Sequence, residues 1–343
     1  MMTAVLTCGL PMLVSCSDDD DNAPAKKEYF QLWNQCAALT ALQEYVEDVT
    51  NPQSANYIPV EDRIATFDMD GTFVGELYPT YFEYNLLEYR TLDDVTYRDR
   101  APEDVRLAAQ QIRDFVRNGT PLPAHFDMIH ARAAAKAYAG MTLAEFDDYV
   151  KAYAAMPANG FKGMTYGQSF YKPMLEVFDY LKDHGFTYYV VSGSDRFICR
   201  ALVEPIGIAP NRVIGMDVML VSTNQGEEAG VNHAMGREEN LVRTDSLLIK
   251  NLKTNKVLQI TQEIGNAPCC RSATAAATLP CTTTAWPTTI AAQPSCSLPT
   301  MRSETMPTAR RPSNWLIPGA TPATTSYPCA TTSVPSMDME WRK

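Results

Sequence analysis

The chain has 343 residues, 45% of them hydrophobic, with a net charge of -11 and a pI near 4.9. That length and apolar content allow one large domain or two smaller ones around a sizeable core, and exclude disorder throughout. The acidic balance, with no cluster of Lys and Arg, excludes a nucleic-acid surface, which needs clustered cations to neutralise phosphates.

The first stretch, "MMTAVLTCGLPMLVSC", is apolar, broken by Gly9 and Pro11, and too short to span a bilayer of roughly 30 Å as a helix. It reads as a secretory signal. Leu13 to Cys16 resemble a bacterial lipobox, in which the Cys becomes the lipidated first residue of the mature protein. Ser17 and Asp18 to Asp21 resemble acidic export signals of some Gram-negative surface lipoproteins. Residues 1–24 are therefore expected to be signal and tether, with Cys16 anchoring the protein in the cell envelope, on the periplasmic or outer-surface face of the outer membrane. The alternative is a buried strand followed by a solvated charge run.

From Tyr29 to Val49 the apolar residues recur at three and four, which predicts an amphipathic helix ended by Asn51 and Pro52. "RIATFDMDGT" follows as a short buried strand, Ile64 to Phe67, running into carboxylates and a glycine turn. Four helical patterns, from "YFEYNLLEY" to "TLAEFDDYVKAYAAM", make residues 79–156 an all-helical insertion. "KPMLEVFDYLKDHG" predicts a helix with Pro173 in its first turn and Gly185 past its end, where each is favoured. "FTYYVVSGSD" is a second buried strand, and a helix through "RFICRALVEPIG" and a strand through "NRVIGMDVML" complete two β-α units. The alternation implies an α/β fold with a Rossmann-like parallel sheet built from residues 25–78 and 157–266. Such a sheet binds ligands at the carboxyl ends of its strands.

Three places carry chemistry. Asp68 and Asp70 stand two apart at a strand end, so both carboxylates can face one small site, one attacking or binding a cation while the other handles a proton. Gly71 permits the turn; a plain Asx turn is the competing account. Ser192, ending "YYVVSGS", could hold an anionic oxygen beside backbone N–H groups. Lys256 opens the helix in "KTNKVLQITQEIG" and could neutralise a phosphate, although a lysine in that position is commonly solvated. His125 and His130, five apart, lack ligand spacing on one helix face and read as packing or surface residues. Of nine cysteines, five lie beyond residue 266 and Cys8 and Cys16 at the N-terminus. Only Cys36 and Cys199 remain in the body, which gives no disulfide framework and no metal spacing.

In this order the three signals resemble the haloacid dehalogenase superfamily, most closely its phosphatases of the phosphoserine-phosphatase type. Asp68-x-Asp70-Gly71-Thr72 matches the first motif, Ser192 the second and Lys256 the third, with the insertion where that family places a helical cap. The resemblance covers about Ile64 to Gly265. It implies that Asp68 attacks phosphorus, that Asp70 protonates the leaving alcohol and then activates water, and that Ser192 and Lys256 hold the phosphoryl oxygens. It also implies Mg²⁺ at Asp68 and at the backbone carbonyl of Asp70, a small phosphorylated substrate, and Thr72 and Gly193 as substrate contacts; Glu76, just after the first motif, is a candidate contact, with a solvated loop glutamate the competing and favoured account. Asp70 favours phosphoryl transfer over carbon–halogen cleavage, because true dehalogenases lack that second aspartate. A catalytically silent surface lipoprotein using the same fold for binding is the competing function.

The family's fourth motif, a Gly-Asn-Ser or Gly-Asp start with Mg²⁺-binding acids, should follow Lys256 by about twenty residues. Here stands "CCRSATAAATLPC", without a carboxylate. Read from one choice of codons and moved back one base, "SATAAAT" becomes "FGNSSGD", and the preceding residues can become "PVLS". Residues 267–343 are therefore read as an irregular, frameshifted tail; a Thr/Pro-rich stalk is the alternative. The shift should strip the strand Ile64 to Phe67 of one flanking partner and leave it as an apolar edge.

Overall fold

The strand Ile64–Phe67 (β1) is four residues long and wholly buried, as a central parallel strand must be. In the computed structural model, which describes residues 27–75, 80–266 and 268–272, it belongs to a five-stranded sheet. The other strands are Thr187–Asp195 (β2), Val213–Ser222 (β3), Leu241–Ile249 (β4) and Cys270–Ser272 (β5), in the order β4-β3-β2-β1-β5. β1 runs parallel to β2, from Ile64 opposite Thr187 to Phe67 opposite Val190, and β2 runs parallel to β3. This is the Rossmann-like α/β arrangement that the alternation of elements predicts.

Helix Ala37–Thr50 (α1) precedes β1. Between β1 and β2 the chain inserts Phe82–Leu92 (α2), Glu103–Asn118 (α3), Phe126–Ala137 (α4) and Leu143–Ala154 (α5), the helical cap. Thr142 and Glu145 form a reciprocal capping box on α5. Lys172–Asp183 (α6) carries Pro173 in its first turn, Arg196–Val203 (α7) follows β2, and Thr254–Glu263 (α8) follows β4. Ala65, Phe67, Val190 and Val213 join one large core with α1, α6, α7 and the cap, while Val191 and Ile214 meet Ile260 of α8 in a smaller cluster. Alternate residues of the sheet thus feed two apolar layers.

Three expectations change. The helix expected from Tyr29 starts only at Ala37. Phe30 takes a positive φ of 63°, and its ring packs on Tyr180 with centroids 4.8 Å apart. The Gln31 and Leu32 N–H groups donate to the Glu176 carboxylate at 3.0 and 3.1 Å, and Trp33 Nε1 donates to the Pro173 carbonyl at 2.8 Å. These tertiary partners on α6 override the helical periodicity.

The sheet also has an antiparallel edge strand, β4, paired with β3. It reaches the cap: the Arg243 N–H donates to the Met141 carbonyl at 2.9 Å, and the Gly140 N–H donates to the Arg243 carbonyl at 2.8 Å.

Finally, β1 is not an edge. β5 lies parallel beside it, with Ala65, Thr66 and Phe67 opposite Cys270, Arg271 and Ser272. The Cys269 N–H donates to the Ile64 carbonyl at 2.9 Å, and Tyr45 Oη donates to the Cys269 carbonyl at 2.9 Å. A backbone ladder needs only extended residues that carry N–H groups, so a segment of unpromising side chains can fill the slot. The rest of the tail, and Cys16, lie outside the described residues.

Candidate active site

β1 ends in a tight turn wound around one carbonyl. The N–H groups of Thr72, Phe73 and Val74 all approach the Met69 carbonyl at 3.1–3.2 Å, and the Gly71 N–H donates to the Val74 carbonyl at 2.7 Å. Gly71 sits at φ 75°, which a side chain would resist. Met69 is fully buried, which anchors the turn and leaves the carboxylates of Asp68 and Asp70 at the carboxyl end of the sheet.

Lys256, in the first turn of α8 and 3% exposed, places Nζ 2.9 Å from Asp68 Oδ1. The Met69 N–H donates to the same oxygen at 2.9 Å. The structure thus brings the side chains of Lys256 and Asp68 together as a buried ion pair at the carboxyl end of β1. Lys253, at the entrance to α8, has a φ of 53°, uncommon for a residue with a side chain.

At the end of β2, Ser192 is buried, and its Oγ accepts from the Ser194 N–H at 3.1 Å. Asn251, also buried, donates Nδ2 to the Ser192 carbonyl at 2.9 Å. A Cβ on Gly193 would fall 2.5 Å from Leu252 Cδ2, so the bare backbone there lets the loop after β4 cross the end of β2. Ser194 Oγ, rather than Ser192 Oγ, donates to Asp70, reaching Oδ2 at 2.8 Å. Thr72 is buried with its Oγ1 unpartnered, and Glu76 lies outside the described residues. Cys199 is buried beside this cluster; burial, reinforced by Asp70, pushes its thiol well above its ordinary value, so it stays protonated.

Above the site lies a buried charge network. Glu83 of α2 accepts from Lys250 Nζ at 3.0 Å and from the Asp195 N–H at 3.2 Å. Asp195 pairs with Arg243 Nη2 at 2.6 Å. His130 is fully buried, its Nδ1 3.6 Å from Glu83 Oε1. Burial alone would raise the Glu83 pKa, but Lys250 and His130 draw it below the usual range. Burial lowers His130 to about 4 against the pull of Glu83.

Burial keeps the His130 ring neutral at pH values where the unfolded chain already carries its proton. Its folded pKa lies below its unfolded value, so the unfolded state binds the proton first, and stability falls as pH drops from 6.5 towards about 4. The loss should be on the order of 3 kcal/mol, at 1.36 kcal/mol per pKa unit. Replacing His130 by Gln should flatten the denaturation midpoint across that window; an unchanged slope would mean that the ring is already charged when folded.

Sequence reading missed Ser194, Asn251 and the Glu83, Lys250, Asp195 and Arg243 group. Ser194 carried a usable signal, since residues two apart on a strand share a face and Ser192 was already singled out. Among the described residues, no group of three or more His, Cys, Asp or Glu side chains could hold a metal ion. The oxygen donors that the resemblance assigns to a cation here are the Asp68 carboxylate and the Asp70 backbone carbonyl. Such hard donors suit Mg²⁺, which commonly takes one or two carboxylates and completes its shell with water and phosphate.

No protein-family model matches the chain, and no curated protein does. Among solved structures, a conserved protein of unknown function from Anaerococcus prevotii is similar at 15% identity and a TM-score of 0.47, over 73% of this chain and 84% of that one. A protein of unknown function from Bordetella pertussis is similar at 15% identity and a TM-score of 0.40, over 61% and 80%. A phosphoserine phosphohydrolase-like protein from Francisella tularensis is similar at 11% identity and a TM-score of 0.33, over 61% and 76%. Likeness this distant leaves the chemistry to be read from the residues themselves.

Proposed function

We propose that this chain is built as a phosphate monoester hydrolase of the haloacid dehalogenase type, working through an aspartyl-phosphate, and that as written it turns over poorly for want of the acidic fourth motif. The observation that carries the reading is the pairing of Lys256 with Asp68 at 2.9 Å at the carboxyl end of β1. Beside it, Asp70 is held by Ser194 from the end of β2.

In this reading an Asp68 oxygen attacks phosphorus as the bond to the ester oxygen breaks, and Asp70 gives its proton to the departing alcohol. Asp70 then takes a proton from the water that attacks the phosphorus of the acyl-phosphate, releasing phosphate and the Asp68 carboxylate. Lys256, Ser192 and the backbone at Gly193 hold the phosphoryl oxygens, and Thr72 and Glu76 contact the substrate. Asp68 through its carboxylate and Asp70 through its backbone carbonyl would hold Mg²⁺, which supplies charge neutralisation at the phosphoryl group when bound. Phosphoryl transfer asks mainly for such positioning and neutralisation.

The test is genetic. Changing the reading frame by one base near the Asn266 codon should restore an acidic segment and raise Mg²⁺-dependent phosphate release from an aryl phosphate by about 100-fold or more, the scale of losing a designed transition-state contact. If both forms are equally inert, the fold serves binding and not turnover.

The proposed location is the bacterial envelope, through a lipid on Cys16. No helix among the described residues is long and apolar enough to cross a membrane. Cys16→Ser should move the protein from the membrane fraction to the soluble one, because acyl chains supply the anchoring. Unchanged membrane association would point to another attachment.

A further inference from the structure

Glu83 lies on the first cap helix and takes no part in the proposed reaction, yet its carboxylate is buried among groups of the core. The side chains of Glu83 and Lys250 are each 6% exposed. One Glu83 oxygen takes the Lys250 ammonium at 3.0 Å, and the other takes the Asp195 N–H at 3.2 Å. That N–H belongs to the peptide joining Ser194 to Asp195, and Ser194 Oγ donates to Asp70 Oδ2 at 2.8 Å. A peptide unit is planar, so an acceptor on its N–H fixes the Ser194 carbonyl and with it the direction in which residue 194 faces. On its far side the same carbonyl is crowded by β3, where a Cβ on Gly215 would fall 2.7 Å from it.

We infer that Glu83 is a positioning residue: by gripping the peptide between Ser194 and Asp195 from the cap, it seats the Ser194 hydroxyl on Asp70. The alignment of Asp70 then depends on the cap being docked. The inference rests on Asp70 as the proton-handling carboxylate of the proposed reaction. A bare charge partner for Lys250 would need only the ammonium contact, whereas the second oxygen of Glu83 is aimed at the Asp195 amide.

Two double variants separate these roles without stranding a buried charge. Glu83→Gln with Lys250→Met keeps an oxygen for the Asp195 N–H and can turn its amide nitrogen towards His130 Nδ1. Glu83→Leu with Lys250→Met keeps volume but removes the acceptor. On the chain as written, amide hydrogen exchange at Asp195 should be about tenfold faster or more in the Leu variant than in the Gln variant. Crystal structures of the pair should show Ser194 Oγ off Asp70 only in the Leu variant. In the frame-restored enzyme, kcat should fall about tenfold in the Leu variant with KM unchanged, and Ser194→Ala should erase the difference between the two. Equal exchange at Asp195, or an equal distance from Ser194 to Asp70 in both variants, overturns the inference whatever the turnover. A frame-restored parent that releases no phosphate instead overturns the hydrolase reading, and exchange and distance still decide the role of Glu83.

Discussion

Asp68→Asn should lower phosphate release from an aryl phosphate by about 10⁴-fold or more in the frame-restored enzyme, the range seen when a covalent nucleophile is removed. The reason is chemical: an amide cannot form the acyl-phosphate. Asn keeps an oxygen for the Lys256 ammonium and the Met69 N–H, both of which lie 2.9 Å from Asp68 Oδ1 in the native chain. The turn should therefore survive, but the buried Lys256 ammonium loses its counter-charge, so the thermal midpoint should fall by roughly 5–10 °C while the protein stays folded. Near-normal turnover by a folded Asp68→Asn protein would place the nucleophile elsewhere, with Asp70 the first group to examine.

The second large effect is on stability. The Arg243 side chain has no exposed surface, and that of Asp195 is 3% exposed. The guanidinium also lies over the Phe146 ring of the cap, 3.9 Å from its centroid. Arg243→Met leaves the Asp195 carboxylate buried without its cation, which typically costs about 3–5 kcal/mol. For a folded body of this size the midpoint should drop by about 10 °C. Adding Asp195→Asn should recover much of the loss, since what destabilises is the stranded charge. A denaturation curve for Arg243→Met within about 1 kcal/mol of the parent would show that water or rearrangement replaces the pair.

The parts of the molecule legible in its sequence are those fixed by local rules. β1 and its turn follow from a β-branched run ending in Asp-x-Asp-Gly, and the four cap helices follow from periodicity and punctuation. The start of α1 was not legible, because the residues before Ala37 bond to Glu176 and Pro173 on a distant helix. β4 carries exposed positions throughout and pairs antiparallel at the edge, so it lacks the continuous apolar signature of its buried neighbours. Within the site, the link between Lys256 and Asp68 could be anticipated only through resemblance to a family. Lys250 and Glu83 stand 167 residues apart, and neither residue type in isolation announces a buried pair.

The place of β5 has a kinetic consequence. Cys269 closes onto Ile64 across 205 residues of chain, so the strand that leads into Asp68 is among the first made, while its second neighbour is the last described segment to arrive. At a synthesis rate of about 5–20 residues per second, one flank of β1 waits roughly 10–40 s for its partner. Until then the sheet can assemble only from β1 towards β2, β3 and β4, and closure of the last ladder is a long-range step of the kind that slows folding. Refolding of the full chain should therefore be limited by docking of the segment around Cys269. Pulse-labelled exchange should find the β1–β2 ladder protected before the amide of Cys269.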